Sequence, residues 1–157
     1  MKESDLYIPV RDWLVSKGYT IHVEVFGVDI VATKPDASCH RGMRIAVVEL
    51  KLGLTDGLFR QLLDRQHWAD EVWGAIASQP RQYAALGCAG FGLLRVQDGK
   101  VEQILKAKHT LHCRHKQRDY RLKKMSREGP AQAHELAGLP ACAALREQRN
   151  LRTSEVA

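Results

Sequence analysis

The stretch RIAVVELKL, residues 44–52, is an apolar run of strand length that carries two charges near its end. A run of this kind reads as a central strand covered on both faces. Burying an unpaired carboxylate in such a strand is costly, so Glu49 and Lys51 need a partner or a task. Side chains alternate along a strand, which puts Glu49 and Lys51 on one face while Leu50 enters the core on the other. Asp29, upstream in GVDIVAT, interrupts a second apolar stretch in the same way. If the two strands are neighbours, two carboxylates and an ammonium converge. On their own these residues also fit, as the lesser alternative, a buried ion-pair network or charges at strand ends.

The surrounding pattern supplies the rest of a fold. From Ser4 to Lys17, Leu6, Val10, Trp13 and Leu14 recur at helical spacing, with Ser4 as cap, Pro9 near the first turn and Gly18 as stop. TIHVEVF alternates and is rich in β-branched residues, Gly27 marks a turn, and VDIVAT follows, so the spacing predicts a hairpin. A second amphipathic helix is predicted from Asp56 to Ala69, then a strand in EVWGAIAS, a short helix around Gln82 to Leu86, and two strands, GFGLLRV and KVEQIL, about a Gln97-Asp98-Gly99 turn. A strand–helix–strand crossover among hairpins predicts an α/β fold with a mixed sheet flanked by helices.

With 157 residues, 45% hydrophobic and 27% charged, one domain with a real core is expected, and a disordered chain is not. No apolar run approaches the roughly 18 to 20 residues of a membrane span, and the opening MKESDLYIPV lacks the apolar core of a secretory signal. A cytoplasmic protein is expected, with Cys39, Cys88, Cys113 and Cys142, which lack CxxC spacing, as free thiols.

Asp29 followed by Glu49-Leu50-Lys51 across a strand pair, with an amphipathic helix before and after, resembles the PD-(D/E)xK nuclease superfamily. The match is nearest to a family of uncharacterised stand-alone PD-(D/E)xK phosphodiesterases, in which KESDLYIPV, GYTIHVEVFGVDIVA, VVELKL and QLLDRQ all have counterparts. Val28 stands where the motif's proline would be. The resemblance covers residues 1–105 and implies a restriction-endonuclease-like domain that hydrolyses phosphodiester bonds in nucleic acid, DNA ahead of RNA. It implies Mg²⁺ or Mn²⁺ bound by Asp29, Glu49 and the Leu50 carbonyl, hard cations on oxygen ligands. Lys51 would orient the attacking water or offset charge on the phosphate, and Gln61 would hold the water or a phosphate. Arg65 would contact the nucleic-acid backbone, and Glu3 or Asp5 would add an acid from the first helix. Glu24 reads as a solvent-facing strand residue close enough to assist a second metal.

Beyond residue 105 the character changes. Residues 1–105 hold 12 Lys and Arg against 13 Asp and Glu, whereas residues 106–157 hold 12 against 5. The excess of positive charge lies wholly in this second segment, read as a basic linker and a small helical tail. Such a segment attracts polyphosphate, and Arg114, Lys116, Arg118, Arg121, Lys123 and Lys124 are the candidate nucleic-acid contacts; a merely solvated tail fits the charge as well. Two short helical stretches, Ala131 to Ala137 and Ala141 to Gln148, flank Gly138-Leu139-Pro140 in the manner of a partial helix-turn-helix. His109, His112, Cys113 and His115 are zinc-ligand types, but their spacing matches no recurrent zinc signature. The alternatives to an enzyme are a non-catalytic nucleic-acid-binding module or a regulatory subunit that keeps the fold, as a homodimer or within a larger complex.

Overall fold

The computed structural model describes residues 2–23, 25–110 and 115–128. Glu24, His112, Cys113, Arg114, Cys142 and the two helical stretches expected between residues 131 and 148 lie outside the described residues. Six strands form one sheet in chain order: β1 Thr20–Val23, β2 Ile30–Pro35, β3 Met43–Lys51, β4 Glu71–Ile76, β5 Gly92–Gln97 and β6 Lys100–Leu105. The pairs β1–β2, β2–β3 and β5–β6 are antiparallel, and β3–β4 and β4–β5 are parallel. Helix α2, Asp56–Arg65, makes the first parallel crossover and α3, Ala84–Ala89, the second; α1, Tyr7–Ser16, precedes the sheet and α4, His115–Glu128, follows it. This is the mixed α/β sheet flanked by helices that the sequence pattern predicts.

Strand β3 lies at the centre, and its alternation builds two cores. Ala46, Val48 and Leu50 join Leu6, Val10 and Leu14 on the α1 side, whereas Ile45 and Val47 join Leu58, Leu62 and Trp68 on the α2 side. Burying apolar side chains on both faces at about 25 cal/mol per Å² is the main force holding the layers together. On β4, Trp73 faces Gly92 across the sheet, and a Cβ at Gly92 would lie 2.1 Å from the Trp73 ring. Only glycine leaves room for that indole, which in turn meets Trp13 of α1 edge-on at 5.3 Å between ring centroids.

Several local expectations shift. The first helix is preceded by a 3-10 turn, Glu3–Leu6, capped at Lys2 rather than Ser4, and Asp5 Oδ2 accepts from the Lys2 N–H at 2.6 Å. The first strand stops at Val23 instead of running through TIHVEVF, because Val25–Gly27 turns with Phe26 at φ 64° and Gly27 at φ 68°. Left-handed backbone at two successive residues cannot continue a strand, and at phenylalanine it is strained. Helix α2 ends at Arg65 instead of Ala69, and α3 starts two residues later and ends three later than expected.

The largest correction concerns the tail. The segment KAKHTLHCRHKQRDYRLKKMSREG, residues 106–129, reads from its composition as linker or solvated helix, yet α4 packs on the body: Met125 is 2% exposed, and Leu122 packs against the same α2-side core. Arg118, Leu122 and Met125 recur at i, i+4 and i+7, which gives the helix an inward stripe. Arg118 itself has no exposed surface, so it has none to offer a phosphate, contrary to its expected role. Its guanidinium donates to Asp70 Oδ2 at 2.5 Å and to the Met43 carbonyl. A charge removed from water must be paired, and this pair fastens α4 to the start of β3 and β4.

Candidate active site

The register of the β2–β3 pair builds the site. Ile30 faces Val48 and Val31 faces Val47, so one further step of the same antiparallel register sets Asp29 opposite Glu49. Asp29 occupies the bend just before β2, rather than the strand itself, and its Oδ2 accepts from the Leu50 N–H at 2.7 Å. The turn that delivers it is braced by aromatic packing, since Phe26 meets Trp68 edge-on with centroids 6.1 Å apart.

Glu49 is 1% exposed. Burial, with the Asp29 carboxylate alongside, raises its pKa from 4.5 to about 7 against the opposing pull of Arg65. Arg65 stands at the end of α2, donates from Nε to Glu49 Oε1 at 2.7 Å, and from a terminal nitrogen to the Gly27 carbonyl at 3.0 Å. The guanidinium thus engages a buried carboxylate and a turn carbonyl while 19% of the side chain stays exposed. Gln61, one helical turn earlier on α2, has a buried Oε1 with no hydrogen-bond partner among the described residues. Lys51 closes β3, and its Nζ lies 3.1 Å from Glu3 Oε2. Of the two acids expected from the first helix, Glu3 reaches the site residues and Asp5 is spent on the cap.

Asp29, Glu49, Leu50 and Arg65 are thus joined by direct contacts, with Lys51 and Glu3 paired at the end of β3. No protein-family profile and no curated protein matches the chain. Among solved structures it is similar to the SPO1766 protein of unknown function from Silicibacter pomeroyi. The TM-score is 0.56 at 20% identity, covering 99% of this chain and 94% of that one. At that identity the likeness concerns the fold alone.

The remaining candidate contacts divide by exposure. Lys116, Lys123 and Lys124 are exposed on α4, and Lys124 Nζ lies 5.2 Å over the Phe26 ring. Arg121 is partly buried. It is wedged over Phe26 and Trp68, 4.5 and 4.2 Å from their ring centroids, and burial followed by the charge of Arg65 lowers its pKa. The sequence reading missed Phe26, Asp70 and Arg118 as organising residues. A trace of the last was present in the spacing of Leu122 and Met125 from it, masked by the charge at the first position of the stripe.

Proposed function

We propose that this chain is a metal-dependent phosphodiesterase acting on nucleic acid, DNA ahead of RNA. The observation that carries the reading is the crowding of Asp29 and Glu49: two carboxylates held together, one of them buried with its pKa near neutrality, form a place where a cation is favoured. The donors suit a hard ion. Asp29, Glu49 and the Leu50 carbonyl offer only oxygen, as Mg²⁺ and Mn²⁺ prefer, and Gln61 Oε1 is an acceptor in want of a donor. A divalent ion held there supplies positive charge that polarises a phosphoryl oxygen and acidifies a water.

The chain's own residues account for the rest. Asp29 is fixed by the Leu50 N–H, so its carboxylate needs no reorganisation to serve as a ligand. Gln61 Oε1 accepts a hydrogen bond from the attacking water. Lys51, steered by Glu3, sets its ammonium at the strand end, where it orients that water and offsets charge building on the phosphate. In the hydrolysis the water oxygen bonds to phosphorus, the phosphorus–oxygen bond to one nucleoside breaks, and the departing oxygen takes up a proton.

The Arg65–Glu49 pair favours a second reading. A guanidinium already offsets the buried carboxylate, which a non-catalytic nucleic-acid-binding module would also need. One experiment separates the two: calorimetric Mg²⁺ titration together with cleavage assays on duplex, branched and single-stranded DNA and on RNA. Metal binding with metal-dependent cleavage, both lost in Glu49→Gln, is expected of the enzyme. A wild type that binds no Mg²⁺ and cuts none of these substrates leaves the binding module as the better account.

A further inference from the structure

Three side chains meet on the structure away from the carboxylate pair. Cys39 comes from the loop between β2 and β3, Asp70 from the residue before β4, and His109 from the segment between β6 and α4. One ligand atom from each lies within 4.8 Å of the other two, and the imidazole sits between its partners, with Nδ1 4.0 Å from Cys39 Sγ and the other nitrogen, Nε2, 3.9 Å from Asp70 Oδ1. Cys39 and Asp70 are buried, whereas the His109 side chain keeps 32% of its surface.

The cluster is held by its own backbone bonds. The Thr110 N–H donates to the Asp70 carbonyl at 2.8 Å, the Lys108 N–H to the Gly90 carbonyl at 2.9 Å, and the Cys39 N–H to the Asp36 carbonyl at 3.1 Å. These bonds fix the chain on either side of His109 and at Cys39. The two oxygens of Asp70 are used differently. Oδ2 accepts from the Ile45 N–H at 2.7 Å and from Arg118 at 2.5 Å, while Oδ1 faces His109 at a distance too long for a hydrogen bond. Arg118 therefore orients the carboxylate without occupying the oxygen turned toward Cys39 and His109.

Sulfur, imidazole nitrogen and carboxylate oxygen together select a borderline cation such as Zn²⁺ over Mg²⁺. Tetrahedral zinc with bonds of about 2.0 to 2.3 Å separates its ligand atoms by roughly 3.3 to 3.6 Å. Only one ring nitrogen can bind a given ion, so the three ligand atoms, within 4.8 Å of one another, stand up to roughly an ångström wider than that, and the imidazole must turn to bring one nitrogen to both partners. We propose that Cys39, Asp70 and His109 form a zinc-type metal site that clamps the segment after β6, and with it α4, to the body of the sheet. Among the described residues three ligands meet there, so a tetrahedral ion would take its fourth donor from elsewhere. The site shares no residue with the carboxylate pair and takes a different class of cation, so it stands apart from the nuclease reading.

The test uses the full chain, freed of metal by a chelator and then titrated with Zn²⁺ and, in parallel, with Co²⁺. One equivalent should bind, with a thiolate-to-cobalt charge-transfer absorption and a Zn²⁺-dependent rise in Tm. His109→Ala changes an exposed residue outside helix and strand, so that variant should fold, lose at least about a hundredfold in affinity and lose the rise in Tm. Cys39→Ser should abolish the absorption, whereas Cys113→Ser, Cys88→Ser and Glu49→Gln should retain it. The proposal is overturned if no stoichiometric Zn²⁺ binds, if His109→Ala binds as tightly as the wild type, or if the absorption disappears in Cys113→Ser. Should Cys39→Ser fail to fold, the affinity of His109→Ala decides the matter alone.

Discussion

Arg65 Nε donates to Glu49 Oε1 at 2.7 Å, so a glutamate buried within the sheet is met from α2 by a guanidinium while Asp29 approaches it from the bend before β2. Glu49 is thus pulled in opposite senses, and its titration becomes the most direct reporter of the site. Its folded pKa of about 7 exceeds the ordinary 4.5, so between those values the native protein binds a proton that the unfolded chain has lost. The stability this contributes is full below the unfolded pKa and is lost as pH rises through the folded one, on the order of 3 kcal/mol in all. Denaturant titrations across this window should show the slope in the wild type and a flatter profile in Glu49→Gln.

Magnesium should reverse the loss. Once Glu49 is ionised, a cation between it and Asp29 relieves their repulsion, so added Mg²⁺ should raise Tm more at about pH 8 than at about pH 5. Thermal scans at the two pH values read the difference directly. Equal shifts would mean that the ion does not sit between these carboxylates.

Lys51→Ala should reduce turnover by roughly two to four orders of magnitude, the range of a positioned acid-base or electrostatic group. Mg²⁺ affinity should hardly change, or rise slightly, because a competing positive charge has gone. Single-turnover cleavage measured beside calorimetry on the one variant separates the effects, and unchanged cleavage would remove Lys51 from the chemistry.

Removing Arg118 should be far more damaging than removing a surface arginine. Arg118→Ala leaves the 1%-exposed Asp70 with a buried charge facing an empty space. Breaking such a pair costs about 3 to 5 kcal/mol. Cutting the chain after Leu105 should destabilise it as well, since Met125 and Leu122 leave the α2-side core with it. Urea unfolding is the measurement, and a loss within about 0.5 kcal/mol for Arg118→Ala, as for an ordinary surface site, would refute the clamp.

The exposed lysines of α4 give the corresponding binding test. Lys116 and Lys123 are exposed and lie two helical turns apart, away from the Arg118–Met125 stripe. The double variant Lys116→Ala/Lys123→Ala should weaken binding to duplex DNA irrespective of its sequence and lower the salt-dependence slope by about 2. Stability should be unaltered. A slope identical to that of the wild type would place the phosphate contacts elsewhere.

What could be read from the sequence is what local physics sets. Alternation and β-branching marked the β1–β2 hairpin, an unbroken apolar run marked β3, and the Asp98-Gly99 turn marked the last hairpin, because each depends on residues within a few positions of one another. The misplaced charges of Asp29, Glu49 and Lys51 were visible for the same reason, as exceptions to a local pattern. Phe26 gave no such warning: its left-handed backbone breaks the first strand early, and its partners are Trp68, just after α2, and the Arg121 and Lys124 cations of α4.

The sequence by itself determined the order of elements, the mixed sheet and the identity of the charged residues that interrupt it. Only the tertiary structure decided their partners. The β2–β3 register sets Asp29 opposite Glu49, the crossover through α2 delivers Arg65 to Glu49, and the packing of α4 turns Arg118 from a surface cation into the counter-charge of Asp70. Composition assigned that arginine to solvent because ionised side chains rarely leave water. A buried carboxylate 48 residues away reverses the preference, since a charge can be desolvated only where an opposite one is fixed to receive it, and that is a property of the folded chain.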